Sequence, residues 1–496
     1  MGPSHYLKLL SAVSVAVATP NYAVPGTQPD NAVALDASPV GASFEFFMWP
    51  SYATNISLTL PCLDHFNKLY GKKIPIRIGG TTQDRATYDS TFKGYVSYKV
   101  DDPLDAPMSL TYGPKFFDLI KSFGAQAILG LNRGLNNRTN TFAAALMAQA
   151  KAKDNLWALE LGNEPDLFYK YWQYPVAQAP WNETQEAFDA ADWAQDFANH
   201  WKSPLPILAG GGYAIPFQIE PGWPNLPFLI NEAYNTTVKA ATKVYNGHLY
   251  AFSNASSGDL DVEMSHQRTV DDLNLLPISA AKAVGRPYVI GETGFHGLDY
   301  EMDATFGSAI QTIDKTLRAL SIGTQRLFYH QGTINQERLT EPKAFFNWWR
   351  SDQLNAVFYG AYFGALAVAG GDHIVASDNG SDRYAQYIIY RNNKPYKIVF
   401  VNTDYYSGSG SRSTTTFTAN GLKNGKAKAL RMTGPSSETT IPLKQTSPGL
   451  EPSIGGQYFS NHDCSVQGNQ KFEKFSIKDG KLVASLKASE ALIVYL

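Results

Sequence analysis

Two glutamates end short apolar stretches, each with a glycine one or two residues before it. Glu164 ends LWALELGNE and Glu292 ends PYVIGE. Cleavage of a glycosidic bond needs two such carboxyl groups, because one must protonate the leaving oxygen while the other attacks the anomeric carbon. Groups about 5–5.5 Å apart would retain the anomeric configuration. The alternative is that both glutamates only cap the helices that follow them.

Eight short apolar runs alternate with helical patterns over the first two thirds of the chain. The runs cover residues 42–48, 74–80, 126–133, 156–164, 205–212, 243–250, 287–292 and 326–332. Runs of this kind are typical of parallel strands buried on both faces. We therefore predict an α/β fold with a (β/α)8 barrel over residues 41–363, which places Glu164 and Glu292 at strand ends in the barrel mouth. An open doubly wound sheet is the alternative, but no glycine-rich phosphate loop follows an early strand.

The pattern changes near residue 364 to short alternating strands separated by turns such as Asn392-Asn393 and Asp479-Gly480. This predicts a C-terminal β-sandwich over residues 364–496. The strand-like residues 19–40 are expected to join that sandwich.

The first 18 residues resemble a secretory signal peptide, with Lys8 before a short apolar run and an Ala-Val-Ala cleavage site. Six Asn-X-Ser/Thr motifs predict N-glycans on a secreted protein. They lie at Asn55, Asn137, Asn182, Asn235, Asn254 and Asn379. Cys62 and Cys464 form either one disulfide bridge or two buried free thiols.

Composition argues against several classes of partner. The net charge of −2 gives no support for binding to nucleic acid or to an anionic membrane. No stretch approaches the roughly 20 apolar residues of a membrane span. No Cys/His cluster indicates a metal, so we expect neither a metal nor an organic cofactor.

The residues around the two glutamates resemble clan A retaining glycosidases. Asn163 directly precedes Glu164 at the fourth predicted strand, and Glu292 ends the seventh. The resemblance implies that Glu164 is the acid/base, that Glu292 is the nucleophile, and that Asn163 binds the sugar 2-hydroxyl. It also implies that Tyr250 donates a hydrogen bond to the nucleophile and keeps its pKa low. For Tyr250 a packed core aromatic is the alternative.

Four segments in order resemble fungal β-glucuronidases of glycoside hydrolase family 79, which also contains heparanase. They read FEFF, IRIGGTTQD, ALELGNEPDLF and YVIGETGFHG. The resemblance implies a retaining exo-β-glucuronidase that releases terminal β-linked glucuronic acid, or a 4-O-substituted form, from glycan side chains or glucuronides. The alternatives are a β-glycosidase for a neutral sugar, an endo-acting heparanase-like hydrolase, and an inactive carbohydrate-binding barrel.

Further site residues follow from the resemblance. Glu45 is expected to bind outer sugar hydroxyls, with a helix cap or a buried carboxylate as the alternative. Thr81 and Asp84 either line the same subsite or form a tight turn. Arg77 lies within its strand and is expected in a barrel-core ion pair. His248 is expected to pack structurally, although it faces the same side of its strand as Tyr250.

The uronate carboxylate is where the sequence departs from the family pattern. Relatives bind it with a Tyr-Gly pair after the nucleophile and with another Tyr after the eighth strand. Here the two loops read TGFHG over residues 293–297 and YHQGT over residues 329–333. We expect the backbone N–H groups of Gly297 and Gly332 to bind the carboxylate, with His296, Tyr329 or Gln331 as additional donors.

Overall fold

The computed structural model describes residues 20–251, 259–296, 300–334, 347–445, 449 and 451–496. The predicted signal peptide, the glycosylation motif at Asn254 and the predicted carboxylate ligand Gly297 lie outside the described residues.

Eight parallel strands close into a barrel in chain order, with the eighth pairing back onto the first. Their bounds are Val40–Glu45, Ile76–Gly79, Ala127–Leu131, Leu156–Leu161, Leu208–Tyr213, Thr242–Leu249, Tyr288–Thr293 and Thr324–Gln331. Every strand overlaps one of the predicted apolar runs. The predicted (β/α)8 barrel is therefore confirmed.

The barrel interior changes from apolar to polar along its axis. One layer is an apolar cluster that includes Ile128, Val244 and Phe328. Two positions further along two of these strands lie Asn246 and His330, which are buried and polar. Because residues two apart face the same side of a strand, the polar layer lies toward the C-terminal strand ends, where barrel enzymes carry their reacting groups.

Helices cover the outside of the barrel. Asn137, Asn182 and Thr305 begin three of them, and their side-chain oxygens accept N–H groups of the first turn. The helices are Trp49–Thr54, Thr59–Tyr70, Pro114–Phe123, Arg138–Ala152, Glu183–His200, Leu226–Phe228, Thr236–Ala241, Leu260–Glu263, His266–Asn274, Ile278–Ala283, Tyr300–Asp303, Phe306–Ser321 and Ala356–Val368. Over the described part of the chain, none of them is both long and apolar enough to cross a bilayer.

Two β-sheets pack face to face to form the C-terminal part. The larger sheet holds Val33–Ala34, His373–Ala376, Ala385–Arg391, Lys394–Asn402, Gly425–Thr433, Ser453–Ile454, Glu473–Ile477 and Glu490–Tyr495. The smaller sheet holds Asn21–Ala23, Thr414–Asn420 and Leu482–Lys487. Side chains such as Ile388 and Phe400 from one sheet and Phe417 from the other share an apolar core. The two N-terminal strands thus pair with strands from the far end of the chain.

Small elements complete the fold. Single-turn helical segments are Phe46–Met48, Thr81–Arg85, Pro165–Leu167, Phe168–Trp172 and Leu229–Ala233. Short sheets are formed by Ala86–Tyr88, Val96–Tyr98 and Leu110–Tyr112, and by Tyr458–Phe459 and Val466–Gln467.

Two connections join the barrel to the sandwich. Cys62, in the second helix, forms a disulfide with Cys464, so the bridged alternative is the one found. The buried His266 lies between two aspartates, with Nδ1 2.7 Å from Asp314 and Nε2 3.2 Å from Asp378. Burial opposes the charged imidazole, but the two carboxylates raise the pKa of His266 to about 10.

Candidate active site

Glu164 and Glu292 meet at the mouth of the barrel. Glu292 lies within the seventh barrel strand, and Glu164 follows the fourth strand by three residues. A side-chain oxygen of one lies within 4.8 Å of a side-chain oxygen of the other. A closest approach of this size is compatible with the about 5–5.5 Å that separates the carboxyl groups of retaining glycosidases.

The backbone of Glu164 is left-handed, with φ 52° and ψ 54°. Such a conformation costs a residue with a Cβ atom about 1–2 kcal/mol. Hydrogen bonds hold both of its peptide groups: its N–H donates to the carbonyl of Gly212 at 2.8 Å, and its carbonyl accepts the N–H of Leu167 at 2.9 Å. Gly162, with φ 85°, turns the chain out of the strand just before it. The position of Glu164 is therefore set by the backbone around it.

Asp84 accepts hydrogen bonds that hold the backbone immediately before Glu164 in place. Its fully buried carboxylate accepts the backbone N–H groups of Asn163 at 2.6 Å, Gly134 at 2.7 Å and Arg133 at 2.8 Å. Burial raises the pKa of Asp84 to about 6, although these hydrogen bonds oppose the shift. The expectation that Asp84 contacts sugar is wrong, because backbone donors occupy its carboxylate. The alternative, a tight turn, is what the chain forms at Thr81–Arg85.

Glu292 accepts hydrogen bonds from two buried donors. Tyr250 donates its hydroxyl to Oε1 at 2.8 Å, and Arg77 Nη1 donates to Oε2 at 2.7 Å. His330 Nδ1 lies 3.5 Å from the same Oε2. Burial acts to raise the pKa of Glu292, but His330, Arg77 and Tyr250 outweigh it and lower the pKa to about 2. Glu292 is therefore a carboxylate at neutral pH.

Arg77 connects Glu292 to the barrel core. It is fully buried, and its guanidinium donates to both oxygens of Glu160, at 2.6 and 3.2 Å. The same group donates to Asn163 Oδ1 at 2.8 Å and to Glu292. The expected core ion pair is present, but the sequence did not reveal the two contacts with site residues. The available signal was the pair of isoleucines on either side of Arg77 in IRIG. Their side chains take one face of the strand, which leaves the charged side chain of Arg77 on the opposite face.

His248 contacts Glu164 rather than only packing. Its Nδ1 lies 3.0 Å from Glu164 Oε1, and its buried Nε2 has no hydrogen-bond partner among the described residues. Burial lowers the pKa of His248 to about 4, so the ring is neutral near pH 7. Burial and the nearby charge of Glu292 raise the pKa of Glu164 to about 8. The two glutamates thus differ in protonation at neutral pH: Glu164 is an acid and Glu292 a carboxylate.

Glu45 ends the first barrel strand and is 7% exposed. Its Oε1 accepts the hydroxyl of Thr82 at 2.5 Å and the N–H of Thr82 at 3.0 Å. His330 Nε2 lies 3.3 Å from Oε2. A Cβ atom at Gly80 would collide with this carboxylate, which explains the glycine at φ 95°. Glu45 and Glu292 therefore lie on either side of the His330 ring.

Two predicted carboxylate ligands on the eighth strand face away from the site. The Tyr329 hydroxyl lies 2.7 Å from Thr316 Oγ1, on a covering helix. Gln331 Oε1 accepts the N–H of Trp348 at 2.7 Å. Both expectations are wrong. Residues two apart on a strand share one face, so Tyr329 and Gln331 both point away from the site. His330, between them, faces the site, and the alternation in this strand was the signal that could have found it.

Gly332 and His296, the two other described residues that were predicted to bind the uronate carboxylate, have different outcomes. The N–H of Gly332 already donates to Asn347 Oδ1 at 2.6 Å, so the expectation that it binds a uronate is wrong. The backbone N–H of His296 donates to Asp303 Oδ1 at 2.7 Å. His296 lies three residues after the end of the seventh strand, and its side chain is buried.

Glu164, His248 and Glu292 place three potential metal-ligand atoms within 4.8 Å of one another. Arg77 Nη1 already forms an ion pair with Glu292 at 2.7 Å. A divalent cation at this place would have to compete with that guanidinium for the carboxylate. The arrangement suits proton transfer better than metal binding.

Comparison with known proteins agrees with this geometry. Residues 386–493 match the glycosyl hydrolase family 79 C-terminal beta domain. The chain is 28% identical to a β-glucuronidase of Neurospora crassa over 386 residues, which are 72% of this chain and 67% of the relative. It is 28% identical to a β-glucuronidase of Aspergillus niger over 427 residues, 79% of this chain and 76% of the relative.

A solved structure resembles the whole chain. It is the 4-O-α-L-rhamnosyl-β-D-glucuronidase of Fusarium oxysporum 12S in complex with Rha-GlcA, at 33% identity and a TM-score of 0.87. The match covers 96% of this chain and 100% of that one. The chain therefore belongs to glycoside hydrolase family 79 and is a glycoside hydrolase.

Proposed function

We propose that the protein is a retaining exo-β-glucuronidase with Glu164 as general acid/base and Glu292 as nucleophile. The observation that carries the proposal is the pair itself: two carboxyl oxygens within 4.8 Å, in surroundings that keep one carboxyl group protonated and the other ionised. Opposite protonation states are what double displacement needs at its start.

In the first step Glu292 attacks the anomeric carbon while Glu164 donates its proton to the glycosidic oxygen. The bond between this carbon and the leaving oxygen breaks, and an ester between Glu292 and the sugar forms. The attack removes the charge of Glu292. Arg77 remains compensated then, because Glu160 holds its guanidinium by two hydrogen bonds.

In the second step Glu164 acts as a base. It takes a proton from water, the hydroxide attacks the anomeric carbon, and the ester bond to Glu292 breaks. Glu164 is then protonated again, and Glu292 is again a carboxylate.

Asn163 is proposed to bind the 2-hydroxyl of the sugar. Arg77 holds its amide oxygen at 2.8 Å, which turns the NH2 group of the amide away from the guanidinium. A hydrogen bond to the 2-hydroxyl strengthens in the transition state of retaining enzymes. Glu45, anchored by Thr82, is proposed to accept hydroxyls further from the reacting carbon.

Glucuronic acid is proposed as the sugar because the matched relatives from Neurospora crassa and Aspergillus niger are β-glucuronidases. A 4-O-substituted glucuronide is the second candidate. It is favoured by the likeness to the rhamnosyl-glucuronidase, which is higher in identity and extends over nearly the whole chain. Among the predicted ligands for the carboxylate, the His296 side chain remains the candidate on the described part of the chain.

The substrate is tested by hydrolysis of p-nitrophenyl β-glucuronide beside its 4-O-α-L-rhamnosyl derivative, the β-glucoside and the β-xyloside. Release from either glucuronide supports the proposal, and the ratio of their kcat/KM values separates the two candidates. Activity on a neutral glycoside alone would overturn the glucuronide assignment. Inactivity on all four would favour a carbohydrate-binding protein.

The residue roles are tested by two variants. Glu292→Gln should abolish turnover, because no covalent intermediate can form. Glu164→Gln should still be glycosylated by activated aryl substrates, whose leaving groups need no proton, and azide should restore turnover. Full activity in either variant would contradict the assignment.

We also propose that the protein is secreted. The disulfide between Cys62 and Cys464 supports an oxidising compartment. The described glycosylation motifs at Asn55, Asn137, Asn235 and Asn379 are exposed, and Asn182 is half-buried. Endoglycosidase treatment of the native protein, followed by mass spectrometry, tests the proposed N-glycans.

A further inference from the structure

Lys315 is a buried cation on the outer side of the strand that carries Glu292. It lies in the helix Phe306–Ser321, which covers the barrel, and it is 2% exposed. Burial lowers the pKa of Lys315 to about 8, although nearby acidic groups oppose the shift. A charged group that leaves water needs partners within the protein. The hydrogen-bond partners of Lys315 lie at the end of the seventh barrel strand.

Lys315 Nζ donates hydrogen bonds to two consecutive residues. One acceptor is the carbonyl of Gly294, and the other is the hydroxyl oxygen of Thr293 at 3.4 Å. Thr293 is the last residue of the seventh strand and directly follows Glu292. Lys315 therefore holds the main chain immediately after Glu292.

The same segment is bonded to the end of the sixth strand on both sides of Tyr250. The Thr293 hydroxyl donates to the carbonyl of Leu249 at 2.5 Å, one residue before Tyr250. The N–H of Ala251, one residue after Tyr250, donates to the carbonyl of Phe295 at 2.8 Å. A chain of hydrogen bonds thus runs from Lys315 through Thr293 to the backbone of Tyr250.

This chain of hydrogen bonds flanks the contact between Tyr250 and Glu292. The Tyr250 hydroxyl donates to Glu292 Oε1 at 2.8 Å and contributes to the lowered pKa of Glu292. Among the described residues, Lys315 donates to Thr293 and Gly294. Its influence on Glu292 is therefore transmitted through the ends of the two strands.

The residue after Lys315 holds the neighbouring strand. Thr316 Oγ1 lies 2.7 Å from the hydroxyl of Tyr329, which directly precedes His330 in the eighth strand. The ring of His330 in turn lies 3.5 Å from Glu292. Two consecutive residues of one covering helix thus contact the strand ends that carry Glu292 and His330.

We propose that Lys315 is a positioning residue, which holds the ends of the sixth and seventh strands so that Tyr250 remains hydrogen-bonded to Glu292. The inference rests on the proposed function, because that function assigns the nucleophile to Glu292. Correct placement of the reacting groups matters, since a displacement of about 1 Å can lower a rate about a hundredfold.

The first variant is Lys315→Met, which keeps the length of the side chain and removes its donors. We expect kcat on p-nitrophenyl β-glucuronide to fall at least about tenfold. The acidic limb of kcat/KM should also move to higher pH, because Glu292 would lose part of the hydrogen bond from Tyr250 and its pKa would rise. Loss of stability alone would lower the amount of folded enzyme without moving this limb.

Lys397→Met is the matched control. Lys397 is also 2% exposed, burial also lowers its pKa to about 8, and it also donates to two backbone carbonyls. These belong to Leu366 at 2.8 Å and Ala369 at 2.7 Å, at the end of the helix Ala356–Val368. Lys397→Met should lower Tm but leave kcat per folded molecule and the acidic limb unchanged. Equal effects of the two variants on kcat and on the limb would overturn the proposal.

Thr293→Val tests the path of the effect and serves if Lys315→Met does not fold. It removes the hydroxyl that connects Lys315 with Leu249, so kcat should fall and the acidic limb should move to higher pH. In the double variant the two losses should not add, because the residues belong to one hydrogen-bond network. Unchanged kcat in Thr293→Val, or losses that add in full, would overturn the proposal.

Amide hydrogen exchange tests the positioning without a substrate. Peptides that cover residues 249–251 and 293–296 are followed by mass spectrometry. Faster exchange in Lys315→Met but not in Lys397→Met supports the proposal, and equal exchange in the two variants overturns it. If the unmutated protein hydrolyses no glucuronide, the proposed function fails, and the exchange measurement decides by itself whether Lys315 holds the strand ends.

Discussion

The carboxylate of Asp84 accepts the backbone N–H of Asn163 at 2.6 Å, one residue before the left-handed Glu164. A residue of the turn after the second strand thereby fixes the backbone next to Glu164, the proposed acid/base, which follows the fourth strand. The contact joins two segments that lie 79 residues apart in the chain.

Replacing Asp84 with Asn should damage both stability and catalysis. An Asn side chain has one acceptor oxygen, so at least one of the N–H groups of Arg133, Gly134 and Asn163 would lose its partner. A buried donor without a partner costs about 1–3 kcal/mol. We expect a matching loss of unfolding free energy in urea and at least a tenfold lower kcat on aryl glucuronide. Unchanged kcat would show that Glu164 does not depend on this contact.

The alkaline limb of the pH profile should report Glu164. Its pKa is raised to about 8 by burial and by the charge of Glu292, and the first step needs the protonated form. For a substrate with a poor leaving group, kcat/KM should therefore fall about tenfold per pH unit above pH 8. Glu164→Gln, assayed with an activated aryl substrate, should lack this limb. A limb that persists in the variant would assign it to another group.

His330 should set the acidic limb. Its ring lies 3.5 Å from Glu292 and 3.3 Å from Glu45, and Glu292 is the main influence that raises the pKa of His330 against the opposing effect of burial. His330→Gln removes the cation, so the pKa of Glu292 should rise and the acidic limb of kcat/KM should move to higher pH. Tm should be recorded with the profile. A loss of activity without movement of the limb would mean that His330 has only a packing role.

His266 should make the fold less stable in alkaline solution. Its pKa is raised from 6.5 to about 10 in the folded state by Asp314 and Asp378. A raised pKa contributes stability that is complete below pH 6.5 and is lost as the pH rises toward 10. Tm should fall across this range, and the fall should be shallower in His266→Gln, which starts from a lower Tm. Parallel curves for the two proteins would contradict the linkage.

Arg77→Lys should be more harmful than a change between two cations suggests. Lysine cannot reproduce the fork that reaches Glu160, Glu292 and Asn163 together. Weakening a buried pair in this way costs up to about 3–5 kcal/mol. We expect a fall in Tm and at least a hundredfold lower kcat/KM. Surface Lys151, 3.1 Å from Asp118, offers a control, since Lys151→Ala should change both quantities little.

The barrel could be predicted because each strand is a continuous apolar run bounded by helix signals. Glu164 and Glu292 could be predicted because strand ends converge in a barrel. Tyr329 and Gln331 were expected as substitute ligands because the loop after the eighth strand lacks the tyrosine of the family pattern. The alternation of side chains around Phe328 instead places His330 inward, and the structure agrees with the alternation.

Other contacts in the site join residues that are far apart in the sequence, so no local sequence pattern predicts them. The partners of Asp84 lie in the segments that follow the third and fourth barrel strands, so its carboxylate could not be assigned from its own turn. His248 lies two residues before Tyr250 and was expected to pack, yet burial removes its charge and brings it against Glu164. Such contacts arise from closure of the barrel.

The bridge between Cys62 and Cys464 spans 402 residues, so it closes most of the polypeptide into a ring. A single protease cut at any exposed loop inside that ring would leave both fragments covalently joined. Cleavage would become visible on a denaturing gel only after a thiol reductant is added. In an environment rich in extracellular proteases, the barrel therefore keeps its C-terminal partner even after the chain has been nicked.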